Sequence, residues 1–453
     1  MEKKSFIFRV LSRILPENKR EPEFVSSISM WLLAGLLLHL ILLPFAFHSD
    51  FLYIHGSAFQ LSHNGVIDIY SYLEENNLCE GLENACFGYP PITYFFFGAT
   101  QFIAKPLLIN FEEWVDSIVE LHNKEGVQEL FFGFNSSNWN ALLLKLPYLF
   151  FDVGIAVILL HLIEDKKKAI FAMVFWLFNP VVIYSPFLFS QFDIIPVFFI
   201  ALALLFAKKG KDIEAMVSLG IGFAFKLFPV LLIPIAAIIL GKKFFRTIKL
   251  GLVGIAPFII ASIPFFFTPI YWKSLFGAST TPYVVLPLGI FLSRLFEMNF
   301  GLGVLENTPI FHLGYFLIIA LVWVKRKSPR EELYKYFLLV FFWLFIFIFM
   351  RPHYFIWIIP TLAMFIANEK KYLLPSILLI IFYVIAFILP FDYMTWELFY
   401  ITDKAFFSSL PMPGALIDLF FPFPIFYRLS RVFFVLTSFW FVLELLKKKQ
   451  KGN

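Results

Sequence analysis

The chain has 453 residues, 60% of them hydrophobic and 64 of them phenylalanine, with a mean hydropathy of +0.80 and a formal net charge of +5. This composition excludes an ordinary soluble globule, and apolar runs of bilayer-spanning length recur from residue 26 to 446, so an all-α polytopic membrane protein is predicted. The positive charge is no nucleic-acid signal and no nucleic-acid partner is expected, because the Lys/Arg clusters sit between apolar runs, where membrane topology requires them.

In chain order, residues 1–25 carry Lys3, Lys4, Arg9, Arg13, Lys19 and Arg20 ahead of the first run, with no small-residue cleavage site following it at His48-Ser49-Asp50. That pattern reads as a retained signal anchor. Apolar runs follow at about 26–47, 91–108, 142–163, 169–189, 193–207, 213–240, 250–267, 309–324, 333–350, 354–367, 372–390 and 431–446. Basic connections at 166–168, 208–211, 241–249, 325–330, 369–371 and 447–451 should all be cytoplasmic. Parity fails if every run crosses once. It is restored if 91–108, with Gln101, Lys105 and Pro106, does not cross, and if 213–240 crosses as two short helices broken at Lys226-Leu227-Phe228-Pro229. The expectation is about twelve transmembrane helices with both termini inside. A transmembrane module over 26–267 would be followed by a second over 268–446 and a basic tail at 447–453.

A large first extracytoplasmic loop, 48–141, would then hold interfacial helices near 53–63 and 110–131, and further outer loops would span 268–308 and 391–430. Cys79 and Cys86 both fall in the first loop, so a disulfide is expected there, with two idle thiols as the alternative. Their spacing has no metal signature. Asn135-Ser136-Ser137 is a formal glycosylation sequon. No internal repeat, P-loop, GxGxxG or serine-hydrolase elbow is present.

Charged groups set in apolar sequence are the candidates for chemistry, because such groups are costly in a bilayer and line cavities or pair. Asp50 closes the first span; it reads equally as a half-shielded general base or as a solvated acid after a helix end. Nearby His48, His55 and His63 make only a weak metal pattern. Lys145 and Asp152 flank Pro147 seven residues apart, two turns along one helical face, and read as orienting groups or as part of a polar cavity. Gln191 and Asp193 sit at the start of the next run, where Asp193 is a cavity acid or a helix cap. Lys226 either snorkels or reaches a site. Arg351, His353 and Tyr354 lie between two runs, and Arg with His suits a phosphate.

Taken together these strings resemble integral-membrane glycosyltransferases of the GT-C fold, in particular the family of the first and second GPI mannosyltransferases and their prokaryotic relatives. The matching pieces are Tyr89-Pro90-Pro91, the Lys145…Asp152 span, FWLFNPVVIYS (175–185) leading to Ser190-Gln191-Phe192-Asp193, GFAFKLFPVLLIPI (222–235) and HYFIWIIP (353–360). Order and approximate spacing hold over residues 45–360. The resemblance implies a polyprenyl-phosphate sugar donor, a lipid or glycan acceptor, and an Asp at the start of the first outer loop as general base, the position of Asp50. It puts Gln191 and Asp193 at the second acidic site. Lys226, Arg351 and His353 are assigned to the donor phosphate on charge. The family's paired acids in the first loop are absent, since Phe51-Leu52-Tyr53 follow Asp50, and neither a metal nor any other cofactor is expected.

The expected function is an inverting mannosyl- or other hexosyltransferase, embedded among membrane lipids and acting on the non-cytoplasmic face. That would be the plasma membrane in a prokaryote and the endoplasmic reticulum in a eukaryote. The alternatives are a transporter or flippase of an anionic or lipid-linked substrate, for which paired broken helices in two halves would speak, and a non-catalytic subunit.

Overall fold

A computed structural model describes residues 6–76, 87–115, 137–276, 310–347 and 351–447. Cys79, Cys86, Asn135 and most of the segment 110–131 lie outside the described residues. Every described regular element is a helix, whether α, 3-10 or π. Among the described residues, five helices are long and apolar enough to cross a membrane: Pro22–Leu42, Ser137–Leu162, Phe244–Phe265, Lys370–Phe387 and Phe423–Leu446. Lys166–Leu177 with Pro180–Leu188 makes a sixth if the pair, bent by 43°, is one span. Two other runs are short helices, Ile194–Lys208 and Phe311–Val324, and Phe228–Gly241 is the second of the two short pieces expected within 213–240.

The breaks have local causes. Asn179 Oδ1 accepts the Val181 N–H at 3.0 Å, so the Asn179-Pro180 pair stops one helix and caps the next. Pro186 then sits in a π-turn over Ile183–Leu188, and Ser190 takes φ +67, a left-handed conformation that turns the chain sharply before Asp193. Between Asp212–Phe225 and Phe228–Leu232, Lys226 is extended (φ −152, ψ 143), the break expected from a Lys shortly before Pro229.

A helix, Ser49–Ser62, forms where one was expected near 53–63, and it packs along Pro91–Ala104. Buried Gln101 joins the two, donating to the His55 carbonyl at 2.8 Å and accepting from Ser62 Oγ at 3.0 Å. At 14 residues, Pro91–Ala104 is about 21 Å long, short of the roughly 30 Å hydrocarbon core.

At the opposite end, basic residues tie off the bundle. The C-terminal carbonyls of Ser137–Leu162 receive Lys19, on Leu160 O at 2.5 Å and on Ile163 O, and Lys208, on Leu162 O at 3.0 Å. Cations at a helix C-terminus satisfy carbonyls that have no intrahelical donor and complement the helix dipole. Asp212 is gripped by Arg330 at 2.5 and 3.1 Å and by Arg246 at 2.6 Å.

Asp212–Phe225 lies between Ile194–Lys208 and Phe244–Ser262. Gly220 makes the second contact possible: a Cβ there would stand 2.3 Å from the Gly254 carbonyl and 2.7 Å from the Pro257 ring. Small residues at a helix crossing in a membrane let backbones approach closely. Gly220→Ala should therefore lower the thermal midpoint in detergent, at an overpacking cost of about 1–3 kcal/mol. Gly251→Ala, where a Cβ meets nothing within 4 Å, should leave it unchanged or raise it.

Candidate functional site

Helix Ile194–Lys208 runs from Asp193 to the basic end, and Asp212–Phe225 returns from there to Lys226. The two segment ends meet. Lys226 Nζ donates to Asp193 Oδ2 at 2.7 Å, and Trp357 Nε1 donates to Oδ1 at 2.5 Å. His353 Nε2 lies 3.9 Å from Oδ2. The fully buried Asp193 carboxylate makes no capping bond to its own helix, so it acts across the site and not as a cap. Lys226 is 13% exposed, with its ammonium 5.0 Å from the ring centre of Phe192, 5.6 Å from Tyr354 and 5.7 Å from Tyr89. An ammonium enclosed by ring faces and a carboxylate is held by cation–π and ionic attraction together, which sets aside snorkelling.

Asp50 occupies the first turn of Ser49–Ser62 and is part-buried. Gln191 Nε2 donates to its Oδ2 at 2.6 Å. His48 Nδ1 lies 3.3 Å from Oδ1 and accepts the Asp50 backbone N–H at 3.2 Å. Gln191 and Asp193 are two residues apart, so one short turn brings the Asp50 network beside the Lys226 network. Burial pushes the Asp50 carboxyl up. A charged His48 imidazole, with Arg351, acts against this and lowers the carboxyl below its usual range. His55, five residues further along the same helix, is driven by burial, and secondarily by Lys145, down to about 3, and so stays neutral.

His353 is 3% exposed and stacks with Phe189 at 5.2 Å between ring centres; its buried Nδ1 has no hydrogen-bond partner among the described residues. Phe189 also stacks with His48, at 4.2 Å. Arg351 is exposed at the start of the same segment, and Tyr354 stacks on Trp357 at 4.5 Å. Trp357 in turn lies flat on Phe228 at 3.7 Å.

Lys145 and Asp152 share a helix face but do not pair with each other. Lys145 Nζ donates to the Ala46 and Phe187 carbonyls at 2.7 and 3.1 Å. Asp152 accepts from Trp176 Nε1 at 2.8 Å and meets His39 Nδ1 at 2.9 Å. Both residues are fully buried, so of the readings open for them these contacts favour orienting groups over cavity lining. Sequence reasoning missed these partners: His48 and Gln191 for Asp50, Trp357 for Asp193, and His39 and Trp176 for Asp152. Only His48 had a signal, its place at the N-cap two residues before the acid. The described residues contain no group of three or more His, Cys, Asp or Glu arranged to hold a metal.

Residues 131–350 match the model of glycosyltransferase family 87. That stretch includes Lys145, Asp152, Gln191, Asp193 and Lys226; Asp50, Arg351 and His353 fall outside it. Among solved structures, ArnT from Cupriavidus metallidurans in the apo state aligns with 92% of this chain and 76% of its own, at 12% identity and a TM-score of 0.46. No curated protein matches the sequence. The family match bears out the resemblance to membrane glycosyltransferases.

Removing one member of a buried ion pair leaves the other charge uncompensated, whereas removing both does not. Asp193→Asn and Lys226→Met should each destabilise the protein by about 3 kcal/mol, and the double variant should lose less than the sum. Thermal midpoints of the purified protein in detergent check this; additive losses would mean the two side chains are not coupled.

Proposed function

We propose that this protein is an inverting glycosyltransferase that moves a sugar, a mannose or another hexose, from a polyprenyl-phosphate donor to an acceptor hydroxyl of a lipid or glycan on the non-cytoplasmic membrane face. The observation that carries the reading is the Asp50 carboxylate, held on one oxygen by Gln191 and with His48 near the other, close to His353 and Arg351 and beside the Asp193–Lys226 pair.

Asp50 accepts the proton of the acceptor hydroxyl as its oxygen attacks the anomeric carbon, and the carbon–phosphate oxygen bond breaks on the opposite side. Gln191 holds one carboxylate oxygen, leaving the other toward the hydroxyl. The departing phosphate carries the negative charge that develops, and positioned cations and N–H donors stabilise it. Lys226 is already committed to Asp193, so it supplies a single organised charge in an apolar wall. Arg351, exposed, and His353, with an unengaged ring nitrogen, are the groups best able to meet an arriving phosphate. The non-cytoplasmic location is supported by the clustering of Lys and Arg at the end of the bundle away from Asp50.

Asp50→Asn should leave the thermal midpoint unchanged while lowering transfer by about 10²–10⁴-fold, the usual contribution of a general base. The assay uses purified protein in liposomes with labelled polyprenyl-phosphate hexoses and a membrane-lipid acceptor extract. Retained transfer would remove Asp50 from the mechanism. Movement of the labelled lipid across the bilayer without transfer would instead identify a flippase.

A further inference from the structure

We propose that His48 is a positioning residue for Asp50, leaving the carboxylate free to take a proton when its imidazole is neutral and holding it in an ion pair when the imidazole is protonated. The inference rests on the reading of Asp50 as the base. Its ground is the environment of one atom. His48 Nδ1 has two neighbours at nearly the same distance, the Asp50 backbone N–H at 3.2 Å and Asp50 Oδ1 at 3.3 Å.

A ring nitrogen is an acceptor or a donor, never both at once. The backbone N–H can only donate, so while it bonds Nδ1 the neutral imidazole carries its hydrogen on Nε2. In that state His48 caps the helix and gives Oδ1 no hydrogen bond, leaving this oxygen to the acceptor hydroxyl. A second proton must go to Nδ1, where it abolishes the cap and faces Oδ1 as a charged donor. The carboxylate is then held by Gln191 on one oxygen and by an imidazolium on the other, and its basicity falls.

The ring cannot swing aside to avoid this choice. It stacks on Phe189, which is 1% exposed, and the His48 backbone N–H bonds the Phe189 carbonyl at 3.3 Å. The groups facing it are Asp50 on its own helix, Gln191 beyond Asp50, His353 and Arg351 from the segment after residue 350, and Tyr393, whose ring centre is 6.1 Å away.

The test is the pH profile of kcat/KM for the wild type, His48→Asn and His48→Ser, each normalised to its own alkaline plateau. Asn and Ser are good N-caps that keep an acceptor for the Asp50 N–H but never become cations. The wild type should lose activity, by about tenfold per pH unit, on the acid side as imidazoles gain charge. Both variants should stay flat to about pH 5, into the upper carboxylate range. A wild-type profile without that limb, or a limb kept in both folded variants, overturns the proposal; a limb arising from His353 would persist in this way. The two readings fail separately. Active Asp50→Asn removes the base, whereas inactive Asp50→Asn with an unchanged limb in the His48 variants removes only His48.

Discussion

The contact on which the site depends is the ion pair between Asp193 and Lys226, closed by the Trp357 indole. Two charges taken out of water lose several kcal/mol of hydration each, and their attraction offsets this only when the remaining polar positions are filled. Here each Asp193 oxygen has a donor, and the ammonium is surrounded by Phe192, Tyr354 and Tyr89. The pair joins the ends of two antiparallel helices, so it fixes the turn carrying Gln191, and through Gln191 the orientation of Asp50.

The helices that deliver this pair are short. Ile194–Lys208 has 15 residues and so spans about 22 Å, against a hydrocarbon core of about 30 Å. The polar groups they carry are enclosed by aromatic rings, those of Phe192, Tyr354 and Tyr89 around Lys226, and fixed charges act more strongly in such low-dielectric surroundings than in water.

Tyr89-Pro90-Pro91 shows how a weak motif gains meaning from position. Pro90 and Pro91 start a helix abruptly, Thr93 Oγ1 ties that start to the Phe225 carbonyl at 2.7 Å, and Tyr89 thereby lies against Lys226 and Phe192. Aromatic stacking carries much of the remaining order. Trp357 on Phe228 and Phe342 on Phe441 link helices that share few hydrogen bonds across their faces, in a setting where packing rather than water exclusion drives association.

The sequence by itself determined the membrane class, the helical architecture, the break at Lys226 and the short list of charged residues. Hydropathy, proline position and the cost of a charge in lipid are all local properties of the chain. It could not distinguish cap from cavity for Asp193, snorkel from anchor for Lys226, or orienting groups from cavity lining for Lys145 and Asp152. Each choice depends on which partner a distant segment presents: Trp357 lies 164 residues from Asp193, and Gln191 lies 141 from Asp50. Nor could the sequence divide the run at 169–189 into two bent pieces, because a run's length says nothing of where a π-turn interrupts it. Only the tertiary structure decided those, since a buried polar group takes its role from the atom that satisfies it.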